Sequence, residues 1–350
     1  MSAPTAKPLA IDRPGQAALG WLRHNLQFIV GLVVSGLAIW QLGREVDVTR
    51  VGAQLGGANW ALLGLCVLSI PLTMAFKAIR WGYLFANEAR PALYPRLSAL
   101  YIGYLANTVL PARVGEFVRA FLIGREPGVG TPAALATIVI EKLLDLGTLF
   151  LLLLFLILAN QLPPLPDQLT PSPVASGAVL VGGLLALCGL LLLRRRVVGL
   201  VAAIEARLAI LRRLRVTALA SSFLEALASL GRPSTLPGLV FWSAAIWAAA
   251  CFTMWSGIVG VGITVSLSAV ILVLVVTNIG MAAPSAPGYL GVFHYLMVKS
   301  LVPFGIFEDQ AAAAAFLVHI IVFGNFIVGG LWLLRRGGYS LGGLRRASGH

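Results

Sequence analysis

Three groups of residues in this chain have the types and the spacing to do chemistry. The first is Asn107, Arg113, Gly115, Glu116 and Arg119, gathered around Pro111 in an otherwise apolar stretch. A helix starting near Gly115 presents unpaired backbone N–H groups and a partial positive charge at its N-terminus, and both favour an anion. The Arg113 guanidinium adds a fork of donors suited to phosphate. Asn107, Arg113, Gly115 and Arg119 are therefore candidates for holding a phosphate. Glu116 suits the helix dipole but repels an anion, so it is expected to orient an arginine. Alternatively, Arg113, Glu116 and Arg119 neutralise one another and only hold the chain reversal.

The second group is Glu141 and Asp145, four apart and so on one helix face, about 13 and 20 Å into an apolar stretch that begins near residue 132. Charges at that depth are costly and are paired or face a cavity. Arg113 and Arg119 are the expected partners, while Lys142 lies too far round the helix to share that face fully. The two carboxylates are either proton sites or permanent ion-pair anchors. The third group, Asn278, Pro287 and Gly288 with Thr277, Ser285 and Tyr289, carries no formal charge and would act through shape and hydrogen bonding. His294 follows, with no mechanism assigned to it.

The elements that position these groups are set by hydropathy. With 59% hydrophobic and 11% charged residues, and a mean hydropathy of +0.91, too little polar surface exists to solvate a water-soluble domain. Six stretches, 25–42, 60–80, 132–159, 174–193, 236–257 and 310–334, have the length and apolarity of membrane-spanning helices. Two further apolar regions, 97–125 and 264–302, are broken by Pro111 and Gly115 and by Pro284, Pro287 and Gly288. Broken backbone at membrane depth requires a surround of protein or a wet cavity, which predicts re-entrant or discontinuous hairpins. A proline kink in a continuous helix is the alternative.

Charge sets the orientation. Lys7, Arg13 and Arg23 precede the first span, eight arginines lie from Arg194 to Arg232, and Arg335, Arg336, Arg345 and Arg346 follow the last span. The loops 160–173 and 303–309 have no basic residue. The positive-inside rule then places both termini in the cytoplasm, with the two hairpins entering from opposite faces. In region 194–232, Val197, Val201, Ile204, Leu208 and Leu211 repeat at helical spacing beside arginines, predicting an amphipathic helix on the anionic inner leaflet. The net charge of +13 thus points to a membrane surface and not to nucleic acid. The expected organisation is an N-terminal tail over 1–24, a transmembrane domain over 25–336 and a C-terminal tail over 337–350.

Asn107 followed by Pro111-x-x-x-Gly115 is echoed by Asn278 followed by Pro284-x-x-x-Gly288. Entry from opposite faces makes the pair a candidate inverted repeat, the usual pointer to a transport site near the midplane. The blocks Asn107-x-x-x-Pro111-x-Arg113-x-Gly115-Glu116-x-x-Arg119, Glu141-Lys-Leu-Leu-Asp145 and Pro284-x-x-Pro287-Gly288-x-x-Gly291-Val-Phe293 resemble the lysylphosphatidylglycerol synthase transmembrane-region family, also called the flippase-like domain. The resemblance covers roughly Leu26 to Arg336. It implies a stand-alone member lacking the soluble aminoacyl transferase domain, a place in the cytoplasmic membrane of a bacterium, and translocation of a lipid.

The expected fold is therefore an all-α integral membrane protein, with six transmembrane helices and two hairpins arranged as an inverted repeat. The expected function is translocation of a lipid with an anionic or phosphate-bearing head group. Enzyme signatures are missing: Cys66, Cys188 and Cys251 are isolated, His24, His294, His319 and His350 have no metal spacing, and no nucleotide-type glycine loop occurs. No cofactor or metal is expected. Two alternatives remain: an intramembrane enzyme using Glu141 or Asp145 as a general base on a lipid phosphate, and a non-catalytic membrane partner of a lipid-synthesis enzyme.

Overall fold

In the computed structural model, residues 14–46, 51, 56–85, 89–110, 114–163, 182, 193–207, 217, 220–221, 223–224, 234–283 and 285–337 are described. The described residues form ten α-helices and no strand. They are α1 (Pro14–Glu45), α2 (Trp60–Gly82), α3 (Leu93–Val109), α4 (Gly115–Ile123), α5 (Thr131–Leu158), α6 (Arg194–Arg207), α7 (Leu236–Gly260), α8 (Leu267–Gly280), α9 (Val292–Leu301) and α10 (Glu308–Arg336). Short 3₁₀ turns, Pro287–Tyr289 and Val302–Phe304, flank α9.

Local chemistry sets these limits. Asn59 caps α2 by accepting from Ala61 N at 3.1 Å and Leu62 N at 3.2 Å, and Ser266 caps α8 by accepting from Ala269 N at 3.2 Å. Proline stands in the first turn of α5 and of α7, where its missing N–H costs nothing. The two breaks fall where Pro and Gly put them: α3 ends before Pro111 and α4 begins at Gly115, while α8 ends at Gly280 and α9 begins after Gly291.

Glycine and other small residues let the helices approach closely, as expected where no hydrophobic effect drives association in lipid. α2 lies against α7, with Ser69 Oγ and Thr253 Oγ1 2.7 Å apart and Cys66 Sγ donating to Thr253 O at 3.3 Å. A Cβ on Gly257 would press on Val318, and one on Gly329 or Gly330 would meet Tyr101 or Leu105, so α10 seats against both α7 and α3. The run Ala311–Ala315 is wholly buried. Gly103 and Gly115 touch face to face, with Arg119 also against Gly103, so α4 folds back along α3.

Among the described residues, three helices, α2, α7 and α10, are long and apolar enough to cross a membrane. Their outward residues include Trp60 at 76%, Leu68 at 69% and Val328 at 70% exposure, which suits hydrocarbon and not water. α5 has the length but carries Glu141, Lys142 and Asp145 near its middle. The apolar part of α1, Ile29–Arg44, is shorter. The expected span 174–193 lies almost entirely outside the described residues, as does most of 194–232 beyond α6. The described part of the protein is all-helical, with the apolar outward faces of a membrane protein.

Candidate functional site

At the first break, α4 begins with its N-terminal group already occupied. Gly115 N donates to Asn107 Oδ1 at 2.7 Å, and Asn107 Nδ2 donates to Glu116 Oε2 at 3.3 Å. The helix start expected to greet an anion is thus capped from within the hairpin by Asn107. Among the described residues Glu116 also pairs with a lysine, Lys142 Nζ lying 3.4 Å from its Oε1. Arg113, together with Pro111, falls outside the described residues.

Both terminal nitrogens of Arg119 are committed, while its Nε is buried without a hydrogen-bond partner among the described residues. Arg119 donates from Nη1 and Nη2 to Glu141 at 3.2 and 2.5 Å, a two-pronged geometry, and its guanidinium carbon sits 4.4 Å over the Trp81 ring centre. Trp81 is itself fixed by donation from Nε1 to Thr137 Oγ1 at 2.9 Å. Arg119 is 3% exposed and Glu141 1% exposed, so this pair ties α4 to α5 behind the cavity wall.

Asp145 takes different partners from those the sequence suggested. Arg80 Nη2 donates to its Oδ1 at 2.6 Å, and Lys77 Nζ lies 3.5 Å from Oδ2. Both cations come from α2, and Arg80 also donates from Nη1 to Ser243 Oγ of α7 at 3.0 Å. The correction has a simple cause. Residues 142 and 145 are three apart and 141 and 145 four apart, so Asp145 shares a face with either neighbour. Packing turns Glu141 inward and leaves Lys142 and Asp145 on the cavity.

The second break sits opposite. Gly288 has φ +69° and Gly291 φ +81°, conformations that favour glycine. Tyr289 between them has φ +57°, an outlier costing about 1–2 kcal/mol for a residue with a Cβ. His319 Nε2 donates to Gly288 O at 2.8 Å and holds the turn from α10. Thr108 lies directly behind Gly288, so the tips of the two broken regions meet. Asn278 reaches the same space, its Nδ2 donating to Leu274 O at 2.9 Å, whereas Pro287 belongs to the turn itself. Pro284 is outside the described residues.

These pieces enclose a cavity of about 570 Å³. Its charged wall comes from α2, α4 and α5 through Lys77, Glu116, Lys142 and Asp145, with Asn107 of α3 beside them. Trp247 of α7, Phe293 of α9 and Phe323 and Phe326 of α10 supply apolar lining, and Thr277, Asn278 and Tyr289 bring in the second hairpin. The volume is that of a small-molecule site. One space that presents both charges and aromatic rings can take a ligand with a polar head and an apolar body. Among the described residues, no group of three His, Cys, Asp or Glu side chains could hold a metal ion.

Of the residues picked from the sequence, Asn107, Glu116, Asp145 and Asn278 line the cavity. Gly115, Arg119, Glu141, Pro287 and Gly288 support it from behind or at its edge. Lys77, Arg80 and Lys142 were missed as site residues. Lys77 and Arg80 lie at the end of the span 60–80 and read as flanking cytoplasmic charges; their three-residue spacing on an apolar helix was the available signal.

Comparison with known proteins adds a family and one partial relative. A family described as Lysylphosphatidylglycerol synthase TM region matches residues 28–329. A protein of Haloferax volcanii called Glycosyltransferase AglD is 24% identical over 129 residues, which make up 37% of this chain and 21% of that protein. The match spans only about a fifth of that relative's length. No solved structure matches.

Proposed function

The chain belongs to the lysylphosphatidylglycerol synthase transmembrane-region family, and on that premise we propose that it is a translocator moving a lipid with a phosphate-containing head group across the cytoplasmic membrane. The observation that carries this reading is the cavity at which the two broken helical regions meet, lined by charges and by aromatic rings. A lipid must bring a polar head through hydrocarbon. A buried space with hydrogen-bonding and ionic side chains lowers that barrier by replacing lost hydration.

The topology that goes with this reading has six spans, hairpins 97–125 and 264–302 entering from opposite faces as an inverted repeat, and both termini in the cytoplasm. Such a repeat lets one half rock against the other around a fixed site. The reading is of a transporter and not an enzyme. Glu141 and Asp145, the candidate general bases, are each bound by cations at 2.5 and 2.6 Å, a geometry for holding helices together. The basic region 194–232 would lie on the anionic inner leaflet, where it could also receive a lipid-synthesis enzyme.

The test is transbilayer movement of fluorescent phospholipids and polyprenyl phosphates in liposomes holding the purified full chain. Movement above that in protein-free liposomes, without any reactant, is the expected result. Folded protein that moves no lipid would overturn the transport reading and favour a partner role; appearance of a chemically altered lipid would favour the enzyme.

A further inference from the structure

Two lysines line the cavity among the described residues, and their circumstances differ. Lys142 Nζ lies 3.4 Å from Glu116, its side chain is 46% exposed, and the carboxylate matching it faces the same space. Lys77 lies 3.5 Å from Asp145, but that carboxylate is already held by Arg80 at 2.6 Å. Arg80 is fully buried and donates its other terminal nitrogen to Ser243, so it cannot leave Asp145 without stranding a charge in an apolar interior. One carboxylate therefore serves two cations. Of those two, only Lys77 reaches the cavity, at 13% side-chain exposure, and the surplus positive charge faces the ligand space there.

A surplus charge in a low-dielectric space draws a counter-ion far more strongly than the same charge in water. We infer that Lys77 binds the phosphate of the translocated lipid, and that this phosphate is a singly charged diester. A second negative charge on the ligand would face Glu116 and Asp145 without a second surplus cation from the described cavity wall. Trp247, Phe323 and Phe326 offer the apolar contact that a lipid makes and a free phosphate ion does not. Of the two arginines the sequence offered for this role, Arg119 is excluded by its closed pair with Glu141, and Arg113 lies outside the described residues. The inference rests on the lipid-translocator reading and names the charge state of its ligand.

The experiment measures binding of phosphatidylglycerol, phosphatidic acid and phosphatidylcholine to the full chain in detergent by native mass spectrometry. It compares the unmodified protein with Lys77→Gln, Lys77→Arg and Lys299→Gln. Phosphatidylglycerol is expected to bind best. Lys77→Gln should weaken it about tenfold or more, Lys77→Arg should keep most of the binding, and Lys299→Gln, at a lysine of α9 that does not line the cavity, should change it little. Equal loss in Lys299→Gln, or an unchanged preference in Lys77→Gln, would overturn the assignment; tighter binding of phosphatidic acid would overturn the diester.

Should Lys77→Gln fail to fold, the unmodified protein answers by amine labelling read at each lysine. Phosphatidylglycerol is expected to protect Lys77 and phosphatidylcholine is not. No protection, or equal protection by inorganic phosphate at the same concentration, would overturn lipid binding at Lys77. Failure here is separable from failure of the transport reading. Lipid movement that survives Lys77→Gln sinks only the inference, whereas binding through Lys77 without movement sinks only transport.

Discussion

Residue by residue, the site is a set of commitments that leave few groups free. Arg119 and Glu141 are nearly solvent-free and joined by two bonds, so removing one partner strands the other. Arg119→Met is expected to destabilise by about 3–5 kcal/mol, whereas Arg119→Met with Glu141→Leu should recover much of the loss. Thermal unfolding of the three proteins in detergent checks this; a double variant no better than the single would mean that the pair carries no mutual dependence. Asn107 serves α4 and Glu116 at once. Asn107→Ala should cost about 1 kcal/mol and also slow lipid movement, because Glu116 and Lys142 lose their fixed geometry. Unchanged transport with reduced stability would confine Asn107 to capping.

Among the elements, the α3–α4 hairpin is the most exacting, because two glycines set its closeness. A Cβ on Gly115 would overlap the Gly103 carbonyl and the Asn107 side chain, both of them backbone or fixed by hydrogen bonds. Gly115→Val is expected to push α4 off α3, lowering the melting temperature and exposing the Arg119–Glu141 pair; Gly64→Val, where nothing lies within 4 Å, should be nearly neutral. Similar losses from both would show that helix propensity and not closeness matters. α1 joins the second hairpin in the same manner, with Ser35 Oγ accepting from Ala286 N at 2.8 Å and Gly31 against Ser285.

For the whole molecule, transport by rocking halves requires the two breaks to move relative to each other. A Cβ placed on Gly288 would stand 3.7 Å from Thr108 Cγ2, so the two tips are near enough to be cross-linked, at the cost of holding a side chain in the left-handed region at residue 288. Thr108→Cys with Gly288→Cys, oxidised, is expected to stop lipid movement, and reduction should restore it. Movement that continues with the bond formed would rule out any mechanism in which these tips part.

The sequence by itself determined the class and the places where the helices break. Apolar runs longer than any water-soluble core helix, and Pro and Gly at residues 111, 115, 287 and 288, act through local backbone chemistry that needs no knowledge of neighbours. It also found Glu141 with Arg119, since charges in an apolar run must be paired. The partners of Asp145, the capping of Gly115 by Asn107 and the meeting of Thr108 with Gly288 were decided by tertiary structure alone. Helical spacing leaves a charge free to turn toward several neighbours. Only the packing of α2 against α5 fixes which cation it meets, and so which one is left facing the cavity.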